Sequence, residues 1–152
     1  VEPTIFGWFV ALICYPPFNT LVVNEIPWGA NDFATFSEPI ITQIARAIII
    51  LLLVIYVWAS VALGPKASNL TNRGIVSRFP YSLVRHPAYI SKNMVWWLTL
   101  IPVMNWQFAL GMAFWTIIYY FRAITEERHL MADPDYRKYC KKVKWKFIPG
   151  VY

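Results

Sequence analysis

The run from Pro39 to Leu63 constrains this chain more than any other stretch. Its centre, Ala47-Ile-Ile-Ile-Leu-Leu-Leu-Val-Ile-Tyr-Val-Trp58, has no charged side chain. A helix needs roughly 20 apolar residues to cross the hydrocarbon core of a bilayer, and it satisfies its backbone internally there. Pro39 suits the first helical turn, and Gly64-Pro65 ends the pattern. Arg46 falls about two turns inside the run, either snorkelling to the interface or acting as a functional intramembrane arginine.

Composition points the same way. The chain of 152 residues is 58% hydrophobic and 14% charged, with mean hydropathy +0.44. A soluble domain is about 45–50% apolar and about 25% charged. Eight Trp, nine Tyr and ten Phe fit a protein with aromatic belts at two membrane interfaces. The net charge of +6 comes from basic residues that flank apolar spans. It therefore indicates anionic lipid head groups and topology control, and no nucleic-acid module is visible. Cys14 lies in an apolar run and Cys140 in a basic tail, so they form neither a metal cluster nor a disulfide framework.

The other segments divide the chain further. Ile5 to Val23 is apolar but interrupted by Pro16-Pro17, so it spans only as a kinked or re-entrant element. It lacks the basic start and small-residue cleavage site of a signal peptide. The chain begins at Val1 rather than at a methionine, so the expectation is a fragment or processed product with further spans upstream. Asn24 to Glu38 reads as an acidic loop holding Glu25, Asp32 and Glu38, broken by Pro27, Gly29 and Asn31-Asp32. Lys66 to Val84 is polar and basic. Asn69, Asn72 and Gly74 favour turns there, and Gly74-Ile75-Val76 is a short extended piece. Pro87 opens a helix that runs from Ala88 to Met104, and Trp106 to about Met131 forms the next, stopped by Asp133-Pro134. Two helices joined at an uncharged break make an antiparallel hairpin. The tail, Tyr136 to Tyr152, places six Lys and Arg among aromatics and reads as a membrane-surface segment.

The expected fold is all-α: a polytopic membrane bundle of about four transmembrane helices, with a C-terminal hairpin and a basic tail, as a single domain over residues 1–152. The positive-inside rule puts the Lys66–Arg85 loop and the tail in the cytoplasm, and the acidic loop and the Met104–Trp106 break outside. The hairpin then brings His86 and Glu126-Glu127 together at its cytoplasmic end. Arg122 and Glu126 share a helix face. With Arg85, His86 and Tyr89 opposite them, they make a polar patch of both signs that suits a ligand carrying both charges and an apolar part.

These residues carry a resemblance. Arg85-His86-Pro87-Ala88-Tyr89, preceded by Gly74-Ile75-Val76 and Tyr81, resembles the Arg-His-Pro-x-Tyr signature of the isoprenylcysteine carboxyl methyltransferase family. That family belongs to a wider group with the phospholipid N-methyltransferases. Arg122-x-x-x-Glu126-Glu127, Asp135-Tyr136-Arg-Lys-Tyr139 and Phe147-Ile148-Pro149-Gly150 resemble its C-terminal half. The match runs from about Gly64 to the end and makes residues 64–152 the expected catalytic region.

The resemblance implies an integral membrane, S-adenosylmethionine-dependent methyltransferase acting on a hydrophobic or lipid-linked acceptor, a carboxylate or an amine. It implies cofactor contacts from Gly74, Ile75, Val76, Tyr81, His86, Pro87, Ala88 and Tyr89. It implies catalytic roles for Arg122 and Glu126, and a substrate side formed by Arg122 and Glu127. Glu127 also fits a supporting role or a surface charge. His86, near a helix start, suits a hydrogen-bond partner better than a general base. No metal is needed, because the cofactor brings its own sulfonium leaving group and the protein supplies position and electrostatics. Phe79 and Ser91 stand where that family often has glycine, which predicts a more crowded cofactor approach. Two alternatives remain at this level. One is an NADPH-dependent membrane sterol- or steroid-type reductase, disfavoured because paired carboxylates repel a phosphorylated dinucleotide. The other is a non-enzymatic membrane subunit.

Overall fold

The computed structural model describes residues 1–29, 31, 33–68 and 70–151, and every regular element among them is helical. The helices are α1 (Ile5–Leu12), α2 (Phe18–Glu25), α3 (Pro39–Leu63), α4 (Pro87–Leu100), α5 (Trp106–Leu130) and α6 (Pro134–Lys142). Short 3-10 turns at Gly64–Lys66 and Ile101–Val103 extend α3 and α4. Asp32 of the Asn31-Asp32 pair, and Asn69, lie outside the described residues.

Helix α3 begins with Pro39 in its first turn and ends at Gly64, whose φ of 50° most side chains avoid. Thr42, Ala45, Ile49, Ala59 and Ala62 are buried, at the three- and four-residue spacing of one helix face. Three of these are alanines, which let a neighbouring backbone come close. Ile44, Ile48, Leu51, Val54, Trp58 and Val61 are exposed. An apolar face turned outward along a whole helix is what a lipid solvent requires. Its inner face packs chiefly on α4.

Helix α5 starts at Asn105, whose side-chain carbonyl accepts from the Phe108 amide at 2.9 Å. Its pairings with α4 run in opposite chain directions: Tyr89 meets Glu126, Lys92 meets Tyr119, and Trp97 meets Thr116. This is the antiparallel hairpin. The Pro39–Lys66 and Trp106–Leu130 segments are long and apolar enough to cross a membrane, and the chain is membrane-associated. Of the four spans suggested by sequence, these two meet the length requirement. At 14 residues, α4 spans only about 21 Å against a hydrocarbon core of about 30 Å. The Ile5–Val23 run is split into two eight-residue helices around Pro16-Pro17.

The loop after α2 packs against the turn end of the hairpin. Trp28 meets Trp96 edge-on at 5.0 Å, and the Asn31 amide reaches Thr99 Oγ1 at 3.4 Å. Gly111 lies where the Pro27 carbonyl crosses α5; a Cβ there would stand 2.0 Å from that oxygen. Arg46 is exposed at the same end and donates to the Ala34 carbonyl and Thr35 Oγ1, both at 3.3 Å. It anchors the loop there, remote from the hairpin's open end.

At the open end the basic segments collect. Asp133 caps α6 by accepting from the Asp135 amide at 2.8 Å, with Pro134 in the first turn. The tail is thus a helix followed by an irregular segment, and that segment is stitched to the residues just before α4. The amides of Arg85 and His86 donate to the carbonyls of Trp145 and Lys146, both at 2.9 Å. Tyr136, Tyr139 and Val143 bury themselves against Ala59, Ala62 and Tyr81. Gly74-Ile75-Val76 forms no strand.

Candidate active site

A cavity of about 530 Å³ opens where α1, α3, α4, α5 and α6 meet the Lys66–Val76 loop. Gly74, Ile75, Val76, Tyr81, His86, Ala88 and Tyr89 line it, together with Arg122 and Glu126. These residues come from distant parts of the sequence. Two geometric facts gather them: the hairpin turns α4 and α5 back on each other, and the loop after α3 folds over their open end.

The stretch before α4 is held by ionic and aromatic contacts. Pro87 occupies the first turn, fully buried, and fixes where the helix begins. The His86 imidazole lies parallel to the Tyr89 ring, 5.4 Å between centroids and 3° between planes. Its Nε2 sits 3.1 Å from Glu127 Oε1. Arg85 Nε donates to the same oxygen at 2.7 Å, and its Nη1 donates to the Val143 and Lys144 carbonyls. Lys146 Nζ lies 3.6 Å from the other carboxylate oxygen. Burial opposes the charge on Arg85, but the Glu127 carboxylate beside it more than offsets this and holds its pKa above the ordinary value.

The placement of Glu127 differs from the substrate-facing expectation. It is 6% exposed and does not line the cavity. Helical periodicity explains the difference: adjacent residues lie about 100° apart around the axis, so Glu126 and Glu127 face different neighbours. Pro87 also stays outside the lining.

Glu126 turns into the cavity and accepts from the Tyr89 hydroxyl at 2.8 Å. Arg122, one turn earlier and 5% exposed, donates to the Tyr15 hydroxyl at 2.7 Å. Its guanidinium stands over the rings of Tyr15, Tyr89 and Tyr119 at 4.9, 5.4 and 5.7 Å. Such faces attract a cation.

Ser91 and Phe79 leave the cavity uncrowded. The Ser91 hydroxyl turns back along its own helix to the Pro87 carbonyl at 2.7 Å. Phe79 packs edge-on against Trp58 at 4.8 Å. Neither lines the cavity. In its wall, the Tyr139 hydroxyl donates to the Tyr81 carbonyl at 2.7 Å. Burial pushes the pKa of Tyr81, Tyr136 and Tyr139 up, so these hydroxyls stay neutral.

Residues 40–133 match the phospholipid methyltransferase family. The chain belongs to that family. No curated protein matches it. The phospholipid methyltransferase match takes in α3, α4 and α5, which carry Tyr56, Tyr89, Arg122 and Glu126, and His86 just before α4. Membership makes the chain a membrane methyltransferase by family and gives no support to the reductase alternative.

Tyr15, Tyr56, Lys92 and Tyr119 also line the cavity, beyond the site residues expected from sequence. For Lys92 a signal was present, since it is the one charge in the run from Ala88 to Met104. The three tyrosines carry no such mark, because aromatic residues are scattered through every span.

Proposed function

We propose that the chain is an S-adenosylmethionine-dependent methyltransferase, integral and multi-pass in the membrane, acting on a hydrophobic or lipid-linked acceptor with a carboxylate or amine as the accepting group. The observation that carries this reading is one cavity that gathers the Gly74 loop, the Arg-His-Pro-x-Tyr stretch and the Arg122–Glu126 pair.

The donor set suits that cofactor. The cavity volume lies within the range of about 300–1,000 Å³ usual for such ligands. Gly74, with φ 96°, leaves backbone open at the wall. Lys66 and Arg73 on the loop suit a carboxylate, and the Glu126 carboxylate suits a sulfonium. Gly74, Ile75, Val76, Tyr81, His86, Ala88 and Tyr89 would hold the cofactor, with Pro87 fixing the helix start beneath it. When bound, it supplies a methyl group already activated on a positive sulfur. The chain's own residues then orient and balance charge. Arg122 holds an anionic acceptor. Glu126 orients the accepting group and takes the proton when that group is an amine. Glu127 acts through Arg85 and His86, holding them to the tail. Positioning of this kind can lower a barrier by roughly 7–11 kcal/mol at best.

Charge asymmetry supports a cytoplasmic site. Lys66, Arg73, Arg78, Arg85 and the tail gather at the open end of the hairpin, and the acidic loop at the other. In this reading the α1–α2 pair and α4 with its 3-10 extension complete the multi-pass arrangement beside α3 and α5. Residues 1–152 act as one domain, and the 64–152 catalytic region is completed by Tyr15 and Tyr56.

The test is direct binding. Detergent-purified protein is titrated with S-adenosylmethionine, S-adenosylhomocysteine and NADPH in parallel. The first two should bind and the third should not. A folded protein that binds neither of the first two overturns the proposal.

A further inference from the structure

Lys92 lies in the second turn of α4, within the apolar part of the hairpin. Charge at membrane depth is expensive and persists mainly where it faces a cavity or a partner. A snorkelling lysine directs its ammonium outward to the interface. This one turns inward and lines the cavity. Its Nζ stands 4.9 Å from the Trp96 ring, 5.6 Å from Tyr119 and 5.8 Å from Tyr56. Rings on three helices thus hold the ammonium in place.

An ammonium has three donors. Among the described residues Lys92 makes one hydrogen bond, to the Tyr119 hydroxyl at 3.3 Å, and forms no salt bridge to a carboxylate. The cavity wall is also strongly asymmetric in charge. Lys66, Arg73, Lys92 and Arg122 line it, besides an Arg85 already paired with Glu127, against the single lining carboxylate of Glu126 among the described residues. Lys66 and Arg73 belong to the loop. Lys92 and Arg122 lie between the helices and flank the same Tyr119 ring, at 5.6 and 5.7 Å.

We infer that Lys92 is a binding residue for an anionic oxygen group on the acceptor, a lipid phosphodiester or a lipid-borne carboxylate, held beside Arg122 at the membrane-buried end of the cavity. This rests on the methyltransferase reading above and narrows it: the acceptor carries a negative group near the atom that receives the methyl. The aromatic cage keeps the ammonium in the cavity in advance, so little ordering remains on binding.

Three short-chain probes test it on the full chain in detergent: dihexanoylphosphatidylethanolamine for the phosphodiester, N-acetyl-S-farnesylcysteine for the carboxylate, and decylamine, which has no anion. Wild type should bind at least one anionic probe in preference to decylamine, and which one it prefers identifies the source of the anion. Lys92→Met should lower that preference at least about tenfold, or about 1.4 kcal/mol, and Lys92→Arg should largely keep it. A preference unchanged in Lys92→Met, or equal loss for all three probes, overturns the inference. A second readout needs no variant. The anionic probe should slow acetylation of Lys92 in wild type, followed by peptide mass spectrometry, and decylamine should not; equal labelling rates overturn the inference. S-adenosylhomocysteine binding is measured separately. Anion selectivity through Lys92 without cofactor binding would sink the methyltransferase reading and leave the anion site standing, and the reverse result would do the opposite.

Discussion

The Tyr89 hydroxyl donates a 2.8 Å hydrogen bond to Glu126 across 37 residues of sequence. It joins the two arms of the hairpin inside the cavity and aims the carboxylate. The Arg122 guanidinium stands over the same tyrosine ring at 5.4 Å, so one side chain organises both proposed catalytic groups. Glu126→Gln should therefore lower kcat/KM at least about 100-fold, near 2.7 kcal/mol, while S-adenosylhomocysteine affinity changes little. Tyr89→Phe removes the bond that aims the carboxylate and should show a smaller loss. Full activity in Glu126→Gln would remove it from the mechanism.

Arg122 is tied to Tyr15, which lies beyond the part of the chain matched by the family. Arg122→Ala should abolish turnover with cofactor binding retained. Tyr15→Phe should leave the guanidinium charged but less well fixed, a loss of about 0.5–1.5 kcal/mol, or up to about tenfold in kcat/KM. Steady-state kinetics on both variants distinguishes these outcomes; equal effects would mean that Tyr15 does more than position Arg122.

Glu127 holds Arg85, His86 and Lys146 from a buried position. Removing one member of a buried ionic cluster leaves the others unpaired, at a cost of about 3–5 kcal/mol. Glu127→Ala should accordingly lower the thermal midpoint in detergent and loosen the tail, seen as faster proteolysis after Lys142 or Lys144. Unchanged stability would show that the cluster is incidental.

Glu2 gives the pH dependence a definite sign. It is 3% exposed and accepts from Thr4 and from Arg128, with His129 Nδ1 at 3.2 Å. Burial pushes its pKa up, but the hydrogen bonds from Thr4 and Arg128 outweigh this and hold it below the ordinary carboxylate value. A depressed folded pKa contributes stability above the unfolded value, about 4.3 for glutamate, and this is lost as pH falls through the folded one. Glu2→Gln should be less stable than wild type at pH 7, with the difference shrinking below about pH 4. Parallel melting curves across that range would rule out the linkage.

Gly74 adopts φ 96° in the wall of the cavity. An added Cβ there would sit 3.3 Å from Lys66 Nζ. Backbone strain of about 1–3 kcal/mol follows for a side chain in that conformation. Gly74→Ala should weaken S-adenosylhomocysteine binding more than it lowers the melting temperature. The opposite balance would assign Gly74 to the fold alone.

The long helices could be read directly from the chain. An uncharged run such as Ala47–Trp58 leaves the backbone one way to satisfy itself in lipid, and the breaks at Pro39, Gly64 and Asn105 mark where that regularity stops. The pairing of the Arg85–Tyr89 stretch with Arg122–Glu127 also followed from order and spacing, because a short uncharged turn folds the two arms together. The N-terminal contribution did not. Pro16-Pro17 announces a break but not the direction of the chain beyond it, so nothing local predicts that Tyr15 meets Arg122. The tail's basic residues suggested a membrane surface, and its sequence gave no sign of the backbone bonds to Arg85 and His86.

The sequence by itself determined a helical membrane protein, the positions of its long helices and the set of residues near the hairpin's open end, because those depend on hydrophobic period, helix breakers and charge. Tertiary structure decided which carboxylate faces the cavity, since a rotation of about 100° separates Glu126 from Glu127. It also decided that Lys92 points inward, because rings from α3, α4 and α5 receive its ammonium only when the three helices are packed.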